Sequence, residues 1–295
     1  MRNYAFVAGL LVLVALSCGC RPATEPEPNF QPVAGLPLDS LVRRVAIPSA
    51  AMHKIFNAYV FLPESYFLDS SAQEYPTVYL LHGYGGNFSN WRDRVPRLAN
   101  YASHYNFIIV TPEGGLNSWY LDSPLDSLSR FSTYISREAP GYIESQFRTL
   151  RSPRHRAISG LSMGGHGALT IALTHPGIFG AAGSMSGVVD LRPFANRWEI
   201  ARHLGEFIPT TDSLADNHYL YSAIHQVSAV SEWPALIIDC GADDELLKVN
   251  RALHHRLVAL DVPHTYTERP GGHNWAYWDE AVAYQLLFFD RFFDR

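Results

Sequence analysis

Short apolar runs recur along this chain, and most are followed by a stretch with helical spacing. Thr77 to Leu81 (TVYLL), Phe107 to Thr111 (FIIVT), Arg154 to Ser159, Gly180 to Ser186 and Ala235 to Cys240 (ALIIDC) read as buried strands. His264 to Arg269 reads as one more. Helical spacing covers Asn90 to Tyr101, Phe131 to Phe147, Met163 to His175, Leu246 to Leu260 and Trp275 to Phe293. A strand with no polar face must be covered on both sides, and that demands helices on both faces of a mostly parallel sheet. The expected fold class is therefore α/β. Leu41 to Ile47 and Ile55 to Leu62, bounded by Pro48 and Pro63, read as an antiparallel pair at one sheet edge. Leu191 to Trp233 breaks the rhythm and reads as an insertion near the active site. A fold of this class runs to about 250 residues as one domain, which places residues 41–295 in a single unit.

The first residues do not share this pattern. Arg2 precedes an uncharged apolar stretch, Tyr4 to Leu16, shorter than the ~20 residues that span a bilayer but suited to a signal peptide. It leads into Leu16-Ser17-Cys18-Gly19-Cys20, a pattern similar to the lipobox of bacterial lipoproteins. The expected arrangement is a signal peptide over 1–17 and lipid attachment at Cys18, with Cys20 as the alternative. A proline-rich tether would then reach residue 40. It holds five prolines between Arg21 and Leu38, which suits neither helix nor central strand. The chain is thus expected to be exported and held at the bacterial envelope by its lipid alone. Three cysteines exclude a disulfide scaffold, and Cys240, with no partner in the domain, reads as a buried thiol. A net charge of −5 with no basic run argues against a nucleic-acid partner.

Gly160-Leu161-Ser162-Met163-Gly164 matches G-x-S-x-G between a strand and a helix. A serine on such a turn projects its hydroxyl into a cleft. The turn is too tight for side chains at the two glycines. That hydroxyl needs a histidine to take its proton and a carboxylate to hold the imidazole. In chain order the base comes last. His82 precedes Ser162, and His166 lies on the helix that Ser162 opens. His254 and His255 fall mid-helix and read as solvated. His273, in the glycine-freed loop Gly271-Gly272-His273-Asn274, is the expected base. The acid belongs just past Ala235 to Cys240, where Asp239, Asp243, Asp244 and Glu245 all fall. Spacing alone does not separate them. Acyl transfer also needs two N–H donors for the oxyanion. Met163, after the serine, and Tyr84, in the glycine-rich run His82-Gly83-Tyr84-Gly85-Gly86, are the candidates.

The motifs LLHGYGGNFSNW, NSWYLDSP, SGLSMGGHGAL, DCGADDELL and PHTYTERPGGHNWAYW occur in that order from Leu80. Together they resemble the esterase D–like branch of the α/β-hydrolases, from about Leu41 to the C-terminus. That branch holds tributyrin-type, feruloyl and acetylxylan esterases, S-formylglutathione hydrolases and mycolyltransferases. The resemblance implies the α/β-hydrolase fold. It implies Asp244, three residues past Gly241, as the acid, and Tyr84 as the second oxyanion donor. It implies a serine carboxylesterase working through an acyl-enzyme on a small or carbohydrate-linked ester. An acyltransferase or a non-catalytic binding lipoprotein is the alternative. The base motif here is G-H-N-W-A-Y-W rather than the D-H-S-Y-Y type of formylglutathione hydrolases, and export also argues against a glutathione conjugate. Trp119 and Tyr120 are expected at the pocket rim, either stacking on a sugar or aromatic acyl group or simply packing. With no HExxH set and no phosphate loop, no metal and no cofactor are expected.

Overall fold

The structure, a computed structural model, describes residues 36–68, 72–207 and 216–294. The expected signal peptide, Cys18, Cys20 and nearly all of the expected tether lie outside the described residues. Eight strands form one sheet: β1 (Val42–Ser49), β2 (Lys54–Phe61), β3 (Thr77–Leu81), β4 (Ile108–Pro112), β5 (Arg156–Gly160), β6 (Ala181–Met185), β7 (Ala235–Gly241) and β8 (His264–Arg269). Their spatial order is β1-β2-β4-β3-β5-β6-β7-β8. β1 pairs antiparallel with β2, and β2 antiparallel with β4; every other pairing is parallel.

β3, β4, β5 and β6 are buried at every position, as strands covered on both faces must be. β6 shows what covers each face. A Cβ added at Gly183 would run into the Gln285 side chain on the helix Trp275–Phe293. The next residue, Ser184, points its Oγ at Gly165 on the helix Met163–Thr174. Neighbouring residues of a strand face opposite sides, so these two helices sandwich the sheet. Ser159 Oγ on β5 also donates to Gln285 Oε1, at 2.8 Å, which ties the strand before Ser162 to the same covering helix.

Prolines account for most departures from the expected elements. β1 runs through Pro48, paired with Ile55, instead of stopping before it. An edge strand tolerates a residue with no N–H, and β1 is an edge. The expected helix Asn90 to Tyr101 is two, Asn90–Arg94 and Leu98–His104, broken where Pro96 would clash with the preceding turn. The segment Phe131 to Gln146 stays helical through Pro140, but Tyr134–Glu138 widens to i→i+5 spacing. Such a bulge relieves the clash of a proline ring with the carbonyl four residues back. The segment expected to be an insertion, Leu191 to Trp233, carries short helices at Ile200–Leu204, Asn217–Leu220 and Ala223–Gln226.

Candidate active site

Ser162 sits between β5 and the helix Met163–Thr174 with φ 54° and ψ −118°, a strained conformation for a residue with a side chain. Tight backbone packing enforces it. A Cβ on Gly160 would lie 2.5 Å from the Gly164 backbone, and one on Gly164 would lie 2.5 Å from Leu81 O and 2.6 Å from His82 O. The Ser162 amide donates to Met185 O at 2.9 Å, which holds the turn over the end of β6. The Met163 amide opens the helix. Among the described residues neither it nor the Tyr84 amide donates to another backbone group. Tyr84 lies in a tight turn closed by Gly86 N→Gly83 O at 3.0 Å, beside the strand end that carries the nucleophile turn.

His273 Nε2 lies 3.0 Å from Ser162 Oγ. Its Nδ1 lies 2.9 Å from Asp244 Oδ2 and 3.1 Å from Oδ1. Asp244 also accepts the Leu246 amide at 2.8 Å. Burial alone would raise the Asp244 carboxyl, but the hydrogen bonds from His273 and Leu246 outweigh it and hold the group below its ordinary range. The loops bearing Asp244 and His273 are laced together. Ala242 N donates to Arg269 O at 2.7 Å and Asp243 N to Gly271 O at 2.9 Å. Gly271 has φ 130°, open to glycine and strained for anything else. Gly241 packs so closely on the Gly271 carbonyl that a Cβ there would collide with it.

The other acids are placed elsewhere. Asp243 is exposed, and Glu245 pairs with Arg197 at 2.8 Å. Asp239 is buried beneath the His273 loop, 2.7 Å from Arg269 Nη1, and accepts the Tyr277 hydroxyl. Arg269 precedes the loop and Tyr277 follows it, so one carboxylate clamps both ends.

The remaining histidines do not reach Ser162. His82 accepts the Gly114 amide at Nε2, 2.9 Å away, with Nδ1 2.9 Å from Gly83 O. His166 is fully buried, 3.2 Å from Val188 O, and burial pushes it down to about 4. His255 is exposed. His254, expected to be solvated, is instead half-buried, stacked on Tyr266 with centroids 4.3 Å apart and 2.8 Å from His264. Cys240 is a free, buried thiol whose pKa burial pushes up.

Above Ser162 and His273 lies a cleft of about 220 Å³. Four of the six tryptophans line it: Trp119, Trp198, Trp275 and Trp278. The Trp278 ring stands edge-on to His273, with centroids 4.8 Å apart. Trp119 Nε1 donates to Trp198 O at 3.1 Å. Tyr120 requires a correction. It is fully buried and faces away from the cleft, with its hydroxyl donating to His82 O at 3.0 Å and its ring over Gly167, where a Cβ would collide. Trp119 and Tyr120 both have φ near 55°, and this local backbone sends the two rings to different places. Sequence reasoning missed Trp198, Trp275 and Trp278. Trp275 and Trp278 were legible as a pair three apart, opening the helix after the base. Trp198, inside an aperiodic insertion, carried no such signal. Among the described residues no cluster of side chains suits a metal ion.

The sheet, the serine turn and the chain order of serine, acid and histidine define an α/β-hydrolase. The model of the family described as "Putative esterase" matches residues 49–289, and the chain belongs to this esterase family. It is a carboxylesterase by that membership and by its relatives. An acetyl esterase of Caldicellulosiruptor saccharolyticus is 28% identical over 226 residues, 73% of this chain and 83% of that protein. Esterase Rv1288 of Mycobacterium tuberculosis is 32% identical over 238 residues, 72% of this chain but only 51% of that longer protein. Among solved structures, a ferulic acid esterase superposes with a TM-score of 0.72 at 28% identity, over 85% of this chain and 98% of its own.

Asp239 gives the site a pH signature. Burial raises its carboxyl to about 6, against the opposing pull of Arg269 and Tyr277. A folded-state pKa above the unfolded one means the native protein binds this proton more tightly. The group's stabilising contribution is therefore present below about pH 4 and is lost as pH rises through about 6. The difference is on the order of 3 kcal/mol. Relative to wild type, Asp239→Asn should become more stable as pH rises from 4 to 7, measured by thermal denaturation at several pH values. A stability difference independent of pH over that range would refute the assignment.

Proposed function

We propose that the protein hydrolyses carboxylic esters with Ser162 as nucleophile, His273 as general base and acid, and Asp244 as the imidazole's partner. The observation that carries this is the single imidazole within hydrogen-bond reach of both Ser162 Oγ and the Asp244 carboxylate. Ser162 Oγ attacks the ester carbonyl while His273 Nε2 takes its proton. The oxyanion forms against the Tyr84 and Met163 amides. His273 returns the proton to the leaving alcohol as the C–O bond breaks, which leaves an acyl-serine. Water, deprotonated by the same nitrogen, then releases the acid and restores the serine. Asp244 keeps the proton on Nδ1 and stabilises the imidazolium.

The natural substrate in this reading is a small or carbohydrate-linked ester. Its support is the tryptophan-walled cleft, suited to flat acyl groups or sugar faces, together with the acetyl and ferulic acid esterases among the relatives. Transfer of the acyl group to an alcohol other than water is the second reading. It is supported by a diacylglycerol acyltransferase/mycolyltransferase of Mycobacterium bovis, 29% identical over 165 residues. That match spans 53% of this chain and 44% of that protein. Product analysis with glycerol or trehalose present would separate the two.

Two expected outcomes follow from the roles of the acids and of the N-terminus. Asp244→Asn should lower kcat by about three to four orders of magnitude with KM nearly unchanged, as loss of the partner carboxylate does in a serine protease. Asp243→Asn should change kcat by less than about tenfold. Steady-state kinetics on a chromogenic acetate ester measures both, and a reversed result would move the acid to Asp243. For the N-terminus, we infer export and lipid anchoring at Cys18 from the apolar run and the small residues before the cysteine. Cys18→Ala should abolish incorporation of labelled fatty acid. Retained labelling would assign the anchor to Cys20, and an unlabelled wild type would leave plain secretion.

A further inference from the structure

The Tyr84 amide belongs to a peptide whose carbonyl, Gly83 O, accepts Gly86 N at 3.0 Å and lies 2.9 Å from His82 Nδ1. Tyr84 lies between Gly83 and Gly85, and Gly85 has φ 71°. Glycines on both sides give this turn more backbone freedom than residues with a Cβ would, so its rigidity depends on the bonds that hold it. An oxyanion donor works only if it already points at the developing charge. Contacts from outside the turn reinforce these bonds.

Two contacts do so. The Gly85 amide donates to Leu116 O at 2.7 Å. The Tyr84 side chain lines the cleft half-exposed, and its hydroxyl donates to Glu199 Oε1 at 3.1 Å. Glu199 belongs to the insertion, outside the shared sheet. Its other carboxylate oxygen accepts Asn117 Nδ2 at 2.6 Å, and Arg202 Nη1 stands 3.3 Å away. Asn117 follows Leu116, so the same loop holds the turn twice, once through Gly85 and once through Glu199. Trp198 and Glu199 have φ of 51° and 57°, two consecutive left-handed residues with side chains. Such backbone persists where surrounding contacts over-determine it, and it clusters at functional sites. Here it turns Trp198 into the cleft wall while Glu199 points to Tyr84.

We propose that Glu199 is a positioning residue: through the Tyr84 hydroxyl it sets the direction of the Tyr84 amide and so completes the oxyanion hole from the insertion. This rests on the ester-hydrolase reading above. Arg202, Tyr84 and Asn117 all hydrogen-bond the carboxylate and hold its pKa below the ordinary range. The inference gives the insertion a part in the reaction beyond walling the cleft.

The test is the rate at which a fluorophosphonate labels Ser162, because phosphonylation builds negative charge on oxygen in the same hole. Tyr84→Phe deletes only a hydroxyl and leaves the backbone amide. Glu199→Ala removes its acceptor. Each should slow labelling and lower kcat by about 10- to 100-fold, less than the 10²–10³ lost when a donor is deleted outright. KM for a small acetate ester should stay within about threefold. The double variant should be no slower than the worse single one, because both break the same link. Glu199→Gln keeps an acceptor and should recover most of the rate. Additive losses, a change confined to KM, or labelling at the wild-type rate in Tyr84→Phe would overturn the positioning role alone. A wild-type protein that does not label at Ser162 would remove the ester-hydrolase reading, and this proposal with it.

Discussion

The contact between Gly164 and the carbonyls of Leu81 and His82 carries the rest of the site. It presses the nucleophile turn against the end of β3 with no room for a methyl group. Three consequences follow from this close approach. The backbone at Ser162 is forced into its strained conformation. The helix N-terminus is aimed at the cleft, with the Met163 amide open. The glycine turn carrying Tyr84, which continues directly from β3, is placed beside Ser162. Hydrophobic burial of β3 and β5 supplies the stabilisation that offsets this local strain.

The second half of the site depends on a different device. Asp244 and His273 arrive on separate loops after β7 and β8, adjacent parallel strands. Neighbouring strands alone would leave the loops free to diverge. Backbone bonds from Ala242 and Asp243 lace them, and Asp239 grips both flanks of the His273 loop from below. A buried carboxylate is costly to ionise. Its cost falls on stability, and the gain is a fixed distance between Asp244 and His273. The insertion adds a third layer of control, through the tryptophan wall and the Glu199 tether.

How much of this could be read from residues depends on whether the signal was local. The parallel sheet was legible because β3, β4 and β7 are continuous apolar runs. Ser162 and His273 were legible because glycines mark the turns they need, and the structure brings them within 3.0 Å. Asp244 was not separable from Asp239, Asp243 and Glu245 by spacing. Family likeness singled it out, and the distinction lies in how the loop after β7 folds back, a tertiary fact. Tyr120 was misplaced for a similar reason: two adjacent left-handed residues aim the rings of Trp119 and Tyr120 apart, and no local pattern announces such backbone. The helix over Asn90 to Tyr101 failed differently, since Pro96 was in plain view and the apolar spacing was allowed to outweigh it. Trp198 and Glu199 left no trace, because an aperiodic segment shows its role only once it is folded beside the site.

The central claim is that Ser162 carries the acyl group between two half-reactions. Rapid mixing with an activated ester, acid quench within the first turnover and peptide mass spectrometry tests it most directly. The account predicts a burst of about one alcohol per protein, with the acyl mass on the peptide that contains Ser162. A burst with the acyl group on another residue, or steady turnover with no acylated peptide under conditions where deacylation is slow, would contradict it.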